Sequence, residues 1–521
     1  MRRAAAVAGL ALAAVVGPGS VARGYNEAIH SLLDERAPPR ELAARTVAAP
    51  TVAAMDALRV ALWRAGSSHP DAAVRAAFLA RWPEEAKFDR WAMKELLGLT
   101  PEHEIFGIDR LPPGAPATVG ALLVLGAREP DDDRRNRDRF AHDAARVVKK
   151  DRWDRPVPLD PKQLDLGARS GTASQAWAHY GLPKVEFSAE PSVLKREPWR
   201  WSYAQDPRAF APHFADVHTD LALCAASLDE PAGEGLAWLI VGQAHHYVED
   251  VANQIHTLQA IYPFFFDAKL QAIYEDLRSV GGLLRSRPSF VDVGIQIITN
   301  HHLVGEDLFA ARVADAIAGR DVPPGVAAAL AAITSGDPEL ERDLDGLALS
   351  ADQAFAGMIT QAVIERSSRE GGLLYEATRQ VVSARLSKAN VAYEDPPAEV
   401  WARKHATAEE WATFYDLQRR GFARAGSALR RHVALVDQAL APGRADPLVR
   451  RARLEATAQR LVATRLAVMA EAEARLAAWV VPPPAAAVIA WWVPGFYAGL
   501  LALVGLIVWR VRVRRRRRRA A

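Results

Sequence analysis

The fifteen residues GQAHHYVEDVANQIH, 242–256, hold three histidines, a glutamate and an aspartate, in a chain with only 14 histidines among 521 residues. Burying ionisable groups without partners is costly, so an ordinary core helix gains nothing from this set. A metal centre uses such groups, because imidazole nitrogen and carboxylate oxygen are common zinc ligands.

The spacing is His246-x3-Asp250-x5-His256. On a helix turning about 100° per residue, His246 and Asp250 lie about 40° apart, and His256 falls about 80° to the other side. That spread is too wide for one compact tetrahedral site. It suits two adjacent metals with the aspartate between them, an arrangement fitted to phosphoester displacement. With 14 histidines and 62 acidic residues, a carboxylate four positions after a histidine is expected about twice by chance. Requiring a second histidine six positions on lowers that to about one in twenty, so the triplet is the informative pattern.

The elements that must carry these residues read as helices. Runs such as VADAIAGRDVPPGVAAALAAI and ARLEATAQRLVATRLAVMAEAEARLAAW repeat apolar residues at helical spacing, and strand-forming clusters are sparse. The fold class expected is all-α, a multi-helix bundle over 25–441. A charged helix follows at 442–484, set off by PGRADP and ended by WVVPPPA, and reads as a stalk or as one more helix of the main domain. The single cysteine, Cys224, excludes an intramolecular disulfide and reads as a small buried apolar residue.

Both ends carry topology signals. Residues 1–24 pair Arg2 and Arg3 with an apolar run from Ala4 to Val16 and the small-residue step Ala22-Arg23-Gly24, the pattern of a signal peptide cleaved before Tyr25. Residues 485–509 form 25 positions without a charge, edged by Trp491, Trp492 and Trp509, and read as a transmembrane helix. The Arg-rich tail 510–521 places that flank in the cytoplasm and the bulk of the protein outside it, on a single-pass anchor. The formal net charge of +3 counts eight tail arginines together with Arg2, Arg3 and Arg23; without those eleven the remainder carries −8. An acidic ectodomain is a poor general polyanion binder, so no stable nucleic-acid partner is expected.

HHYVEDVANQIH resembles the signature HYxxDxxxPxH of the zinc-dependent phospholipase C family, which shares its all-helical fold with the fungal-type single-strand nucleases. His246, Tyr247, Asp250 and His256 match in register, while Gln254 stands where that family has proline. The resemblance implies three zinc ions and nine protein ligands in a fixed chain order. The mature N-terminus, which binds through its own amine and carbonyl, would be Tyr25, with His30 five positions on. An aspartate and a histidine follow, best matched by Asp131 and His142, with Asp132 and Asp133 as rivals for the first. The crowded stretch PHFADVHTD, with His213, Asp216, His218 and Asp220, is a second candidate pair lying close to the central motif. After His246, Asp250 and His256, the set closes on His302-x3-Glu306, two side chains that share a helix face. His405-x3-Glu409 has the same spacing, and His245 and His301 are neighbours able to support or replace ligands.

The implied activity is phosphoester hydrolysis outside the cytoplasm, with Asp250 shared between metals and Asp131 orienting or deprotonating the attacking water. Membrane anchoring and the acidic ectodomain favour a phospholipid head group as substrate. The aromatic run Tyr262 and Phe264 to Phe266 could admit an acyl chain or stack a base, although core packing is its commoner use. A nuclease of the same fold and a non-catalytic, metal-binding membrane module are the alternatives.

Overall fold

The computed structural model describes residues 27–98, 116–128, 130, 148–150, 156–158, 181, 211–257, 290–320, 322–347, 355–387 and 398–479. In chain order the helices are α1 (Glu27–Arg36), α2 (Arg40–Ala43), α3 (Val52–Ser67), α4 (Ala72–Arg81), α5 (Arg90–Leu97), α6 (Val119–Arg128), α7 (Ala211–Ala226) and α8 (Gly233–Ala252). They continue as α9 (Phe290–Ile317), α10 (Pro324–Ser335), α11 (Pro338–Gly346), α12 (Phe355–Ser367), α13 (Gly371–Val381), α14 (Ala408–Ala445) and α15 (Pro447–Trp479). Among the described residues strands are confined to two antiparallel pairs: β1 (Thr46–Val47) with β2 (Ala117–Thr118), and β3 (Val148–Lys150) with β4 (Pro156–Pro158). The chain is all-α in its described parts, as its periodicity predicts.

Helix α8 is the axis of the site. Every residue from Gly235 to Ala252 is buried, so it is enclosed on all sides instead of presenting one apolar stripe. It packs against α1, α6, α7, α12 and α14. The contact with α6 is a close backbone approach that only glycine permits. A Cβ on Gly242 would collide with the Leu123 carbonyl and come within 3.0 Å of the Gly126 Cα, and one on Gly126 would strike the Leu239 carbonyl. Helix α6 meets this contact with Val119, Leu122, Leu123, Gly126 and Ala127, all buried at helical spacing.

Helix α1 has two working faces. Ile29, Leu32 and Leu33 enter the hydrophobic core, while His30 and Asp34, four residues apart, are equally buried beside them. Helix α9 brings His301, His302 and Glu306 to the same interior.

The expected break at 442 lies four residues further on. Helix α14, started by a capping box between Thr407 and Glu410, runs through Pro442 to Ala445. Pro442 has no N–H to give the Gln438 carbonyl, so one rung of the last turns is missing. The chain instead breaks at Asp446, whose carboxylate accepts from Leu448 N at 2.8 Å, with Pro447 opening α15. That helix reads in the sequence as a stalk or as one more helix of the main domain; along it Ala458, Leu461, Val462 and Leu466 are buried. Arg460 grips Asp220 at 2.6 and 3.1 Å, and Arg465 Nε donates to the Leu96 carbonyl at 2.8 Å. The chain separates into two compact units at Glu473 and Ala474.

Among the described residues no helix is long and apolar enough to cross a membrane. The predicted signal segment 1–24, the predicted span 485–509 and the arginine tail lie outside the described residues, as do Tyr25, Asp131, Asp132, Asp133, His142 and the aromatic run at 262–266.

Candidate metal centre

Two buried groups of side chains could each hold a metal ion: His30, His246 and Asp250, and His256, His302 and Glu306. Within each group the ligand atoms lie within 4.8 Å of one another. In the first, His246 Nε2 is 3.2 Å from Asp250 Oδ2 and His30 Nε2 is 3.7 Å from Asp250 Oδ1. The two rings stack with centroids 4.0 Å apart. In the second, the Nε2 atoms of His256 and His302 are 2.8 Å apart, and Glu306 Oε1 lies 3.2 and 2.9 Å from them.

Asp250 stands between the groups. Its Oδ1 is 3.7 Å from His30 Nε2 and 4.0 Å from His256 Nε2, while Oδ2 faces His246. A single carboxylate therefore touches ligands of both sets.

These distances fit a small cation. Zinc bonds of about 2.0–2.1 Å in tetrahedral array put neighbouring ligand atoms roughly 3.3 Å apart. The second group is slightly tighter and the first brackets that value, so shifts of a few tenths of an ångström would seat an ion in either. Glu306 Oε2 is also buried, with no hydrogen-bond partner among the described residues. Burial pushes the Glu306 carboxyl up, but the His302 and His256 imidazoles outweigh it and hold it below the usual range.

The far side of each ring in the first group is fixed. His246 Nδ1 donates to the Ala127 carbonyl at 2.8 Å, and His30 Nδ1 donates to Glu249 Oε2 at 2.5 Å. Such outer bonds set the tautomer and turn Nε2 inward. The Ala127 carbonyl reaches His246 because Gly126 and Gly242 let α6 close on α8. Burial, with the Asp34 and Asp250 carboxylates nearby, pushes the Glu249 carboxyl well above its ordinary range. Behind this layer His245 Nδ1 donates to Asp34 Oδ1 at 2.6 Å. The His245 ring also meets that of His432 edge-on, with centroids 5.1 Å apart.

His256 does not continue the helix, contrary to the helical placement read from its spacing. Helix α8 ends at Ala252, Asn253 is extended (φ −69°, ψ 116°), and a 3-10 turn spans Gln254–Thr257. Asn253 makes the bend: its Oδ1 accepts from Ile255 N at 3.3 Å and its Nδ2 donates to Glu306 Oε1 at 2.5 Å. Gln254, at the position of the missing proline, is anchored by donating to the Leu417 carbonyl at 2.7 Å and to Glu370 at 3.2 Å.

Six of the nine predicted ligands, His30, His246, Asp250, His256, His302 and Glu306, are thus brought together; Tyr25, Asp131 and His142 lie outside the described residues. The rival pair His405 and Glu409 is exposed on its own loop and helix start. The PHFADVHTD cluster is structural. Asp216 accepts from Gly357 N at 2.6 Å, Asp220 is held by Arg460, His213 meets Arg465 at 2.9 Å, and His218 Nδ1 donates to the Phe214 carbonyl at 2.8 Å. Residues that spacing did not single out are Glu249, Asp34, Asn253 and the Ala127 carbonyl. Glu249 and Asn253 lie within the stretch 242–256 but off its ligand spacing, and Asp34 falls four positions after His30 on one helix face.

Burial pushes the His218 imidazole down to about 4, against the bond to Phe214 that raises it. A base depressed in the folded state is protonated first in the unfolded chain, so stability is lost as pH falls from about 6.5 toward about 4. In chelator, the drop in unfolding free energy between pH 7 and pH 5 should be about 2 kcal/mol smaller in His218→Gln than in the parent. Equal drops in urea titrations would show that His218 is not the group responsible.

Compared with protein-family models, curated proteins and solved structures, the chain matches none.

Proposed function

We propose that this protein is a membrane-anchored, extracytoplasmic zinc-dependent phosphodiesterase, acting like a phospholipase C on phospholipid head groups. The observation that carries the reading is Asp250, one carboxylate lying between two buried imidazole–carboxylate sets. A set of three protein ligands leaves a position for water or substrate, the mark of catalytic as opposed to structural zinc. Zinc held by His30, His246 and Asp250 and by His256, His302 and Glu306 would supply Lewis acidity there, lowering the pKa of a water and offsetting charge on phosphate oxygens.

The chain's own residues do the rest. Asp250 holds the two sets at one carboxylate's width, a spacing suited to the two sides of a phosphate. Asn253 donates to Glu306 Oε1 and holds that carboxylate beside the His256 and His302 imidazoles. Glu249 and the Ala127 carbonyl orient His30 and His246. The Tyr25 amine with Asp131 and His142 would complete a third ion, Asp131 also aligning the attacking water.

The test uses the full chain in detergent, loaded with zinc or stripped by chelator, on phosphatidylcholine and on single-stranded DNA. Zinc-dependent release of phosphocholine is the expected result. Cleavage of DNA alone would assign the nuclease reading, and inactivity on both with metal bound would leave a binding module and end the hydrolase proposal.

A further inference from the structure

A cavity of about 370 Å³ opens where α11, α12, α13 and α14 meet, and no member of the metal groups lines it. Five guanidinium groups line it: Arg366, Arg369, Arg419, Arg420 and Arg424. The carboxylates there are Asp337, Glu339 and Glu370, and from outside the lining Asp343 pairs with Arg366 and Asp416 with Arg419 and Arg420, so the charges balance formally while Arg369 has no ion pair among the described residues.

Those carboxylates are already committed. Glu370 accepts from Arg420 at 2.8 Å, from Arg424 Nη2 at 2.5 Å and from Gln254 at 3.2 Å. Glu339 takes Arg366 Nη1 at 2.5 Å. Asp337 Oδ1 caps its own helix, accepting from Glu339 N at 2.9 Å and Leu340 N at 3.1 Å. The Arg424 side chain is only 6% exposed, and its Nη1 is buried with no hydrogen-bond partner among the described residues. A buried cationic donor left unmatched bears its full desolvation penalty, so the cavity lacks an acceptor. Helix α13 also begins here, with no side-chain cap from Glu370 at its N-terminus. Uncapped N–H groups and the helix dipole favour negative charge.

We propose that this cavity is a second ligand site, separate from the metal centre, for a phosphate-bearing anion. Guanidinium forks match phosphate oxygens pairwise, and several converging forks select a tetrahedral dianion over a halide. The ligand is either a soluble phosphate or the phosphomonoester head of a lipid, since both present the same group to the arginines.

Calorimetric titration of the full chain in detergent and chelator, at constant ionic strength, tests this with three probes: inorganic phosphate, glycerol phosphate and a short-chain phosphatidic acid. Saturable binding is expected, weakened about tenfold or more in Arg424→Gln and in Arg369→Gln, and unchanged in His302→Ala. Arg369→Gln leaves the Glu370 network intact, so it remains informative if Arg424→Gln fails to fold. Arginine-dependent binding that is tightest for the phosphatidic acid assigns a lipid head; equal binding of all three assigns free phosphate. No saturable binding of any probe, or binding unaltered in Arg369→Gln, overturns the site. Because metal is absent throughout, failure here says nothing against the hydrolase, and failure of the hydrolase assay says nothing against this cavity.

Discussion

Asp250→Asn should bind less metal at both groups and, under the proposed hydrolase function, show no phosphoester hydrolysis. The substitution keeps the side chain's shape, so packing in the enclosed α8 helix changes little. What it removes is the negative charge facing His246 at 3.2 Å through one oxygen and His30 and His256 at 3.7 and 4.0 Å through the other. Losing a partner that merely supports a ligand costs about 10–100-fold in metal affinity. A ligand that serves two groups at once should cost more than that in each. Elemental analysis after dialysis against nanomolar zinc reads the stoichiometry, and circular dichroism checks the fold. A folded Asp250→Asn protein with the parent's full metal content would refute the bridging role.

Gly242→Ala should destabilise the protein and disturb the centre without touching a ligand. One added methyl group would strike the Leu123 carbonyl, and Gly126 leaves no slack behind it. A clash with backbone cannot be relieved by a rotamer change, so the cost belongs at the upper end of the overpacking range, about 3 kcal/mol. Moving α6 off α8 also draws the Ala127 carbonyl away from His246 Nδ1 and loosens the ring's orientation. Denaturant titration and zinc affinity should fall together. Gly372→Ala is the control: a Cβ there meets nothing within 4 Å, and alanine in a helix is favoured by about 0.5–1 kcal/mol. Equal stabilities for the two variants would show that the α6–α8 approach is not glycine-dependent.

The two cases differ in how much could be read in advance. Asp250 stands out in the chain because its neighbours at −4 and +6 are histidines. Gly242 does not, because nothing near it in sequence mentions α6, more than a hundred residues earlier. The PHFADVHTD stretch shows the converse. Its histidines and aspartates look like ligands by spacing, yet Asp216, Asp220 and His213 are claimed by distant partners, Gly357, Arg460 and Arg465, and His218 by the Phe214 carbonyl one turn back. Helical spacing puts side chains on one face, but which neighbour covers that face is a matter of tertiary packing.

The sequence by itself determined the all-helical class and the pairs that share a helical face, His246 with Asp250 and His302 with Glu306, because the 3.6-residue period is a local property. It also carried His30 as a candidate through its distance from the expected start of the mature chain. Only the tertiary structure decided that α8 stops at Ala252, so that His256 swings back on a 3-10 turn beside His302 instead of pointing away along the helix. It likewise decided that Glu249, 219 residues after His30, orients that ring. Such pairings depend on how whole helices pack, and packing joins residues whose separation along the chain leaves no periodic trace.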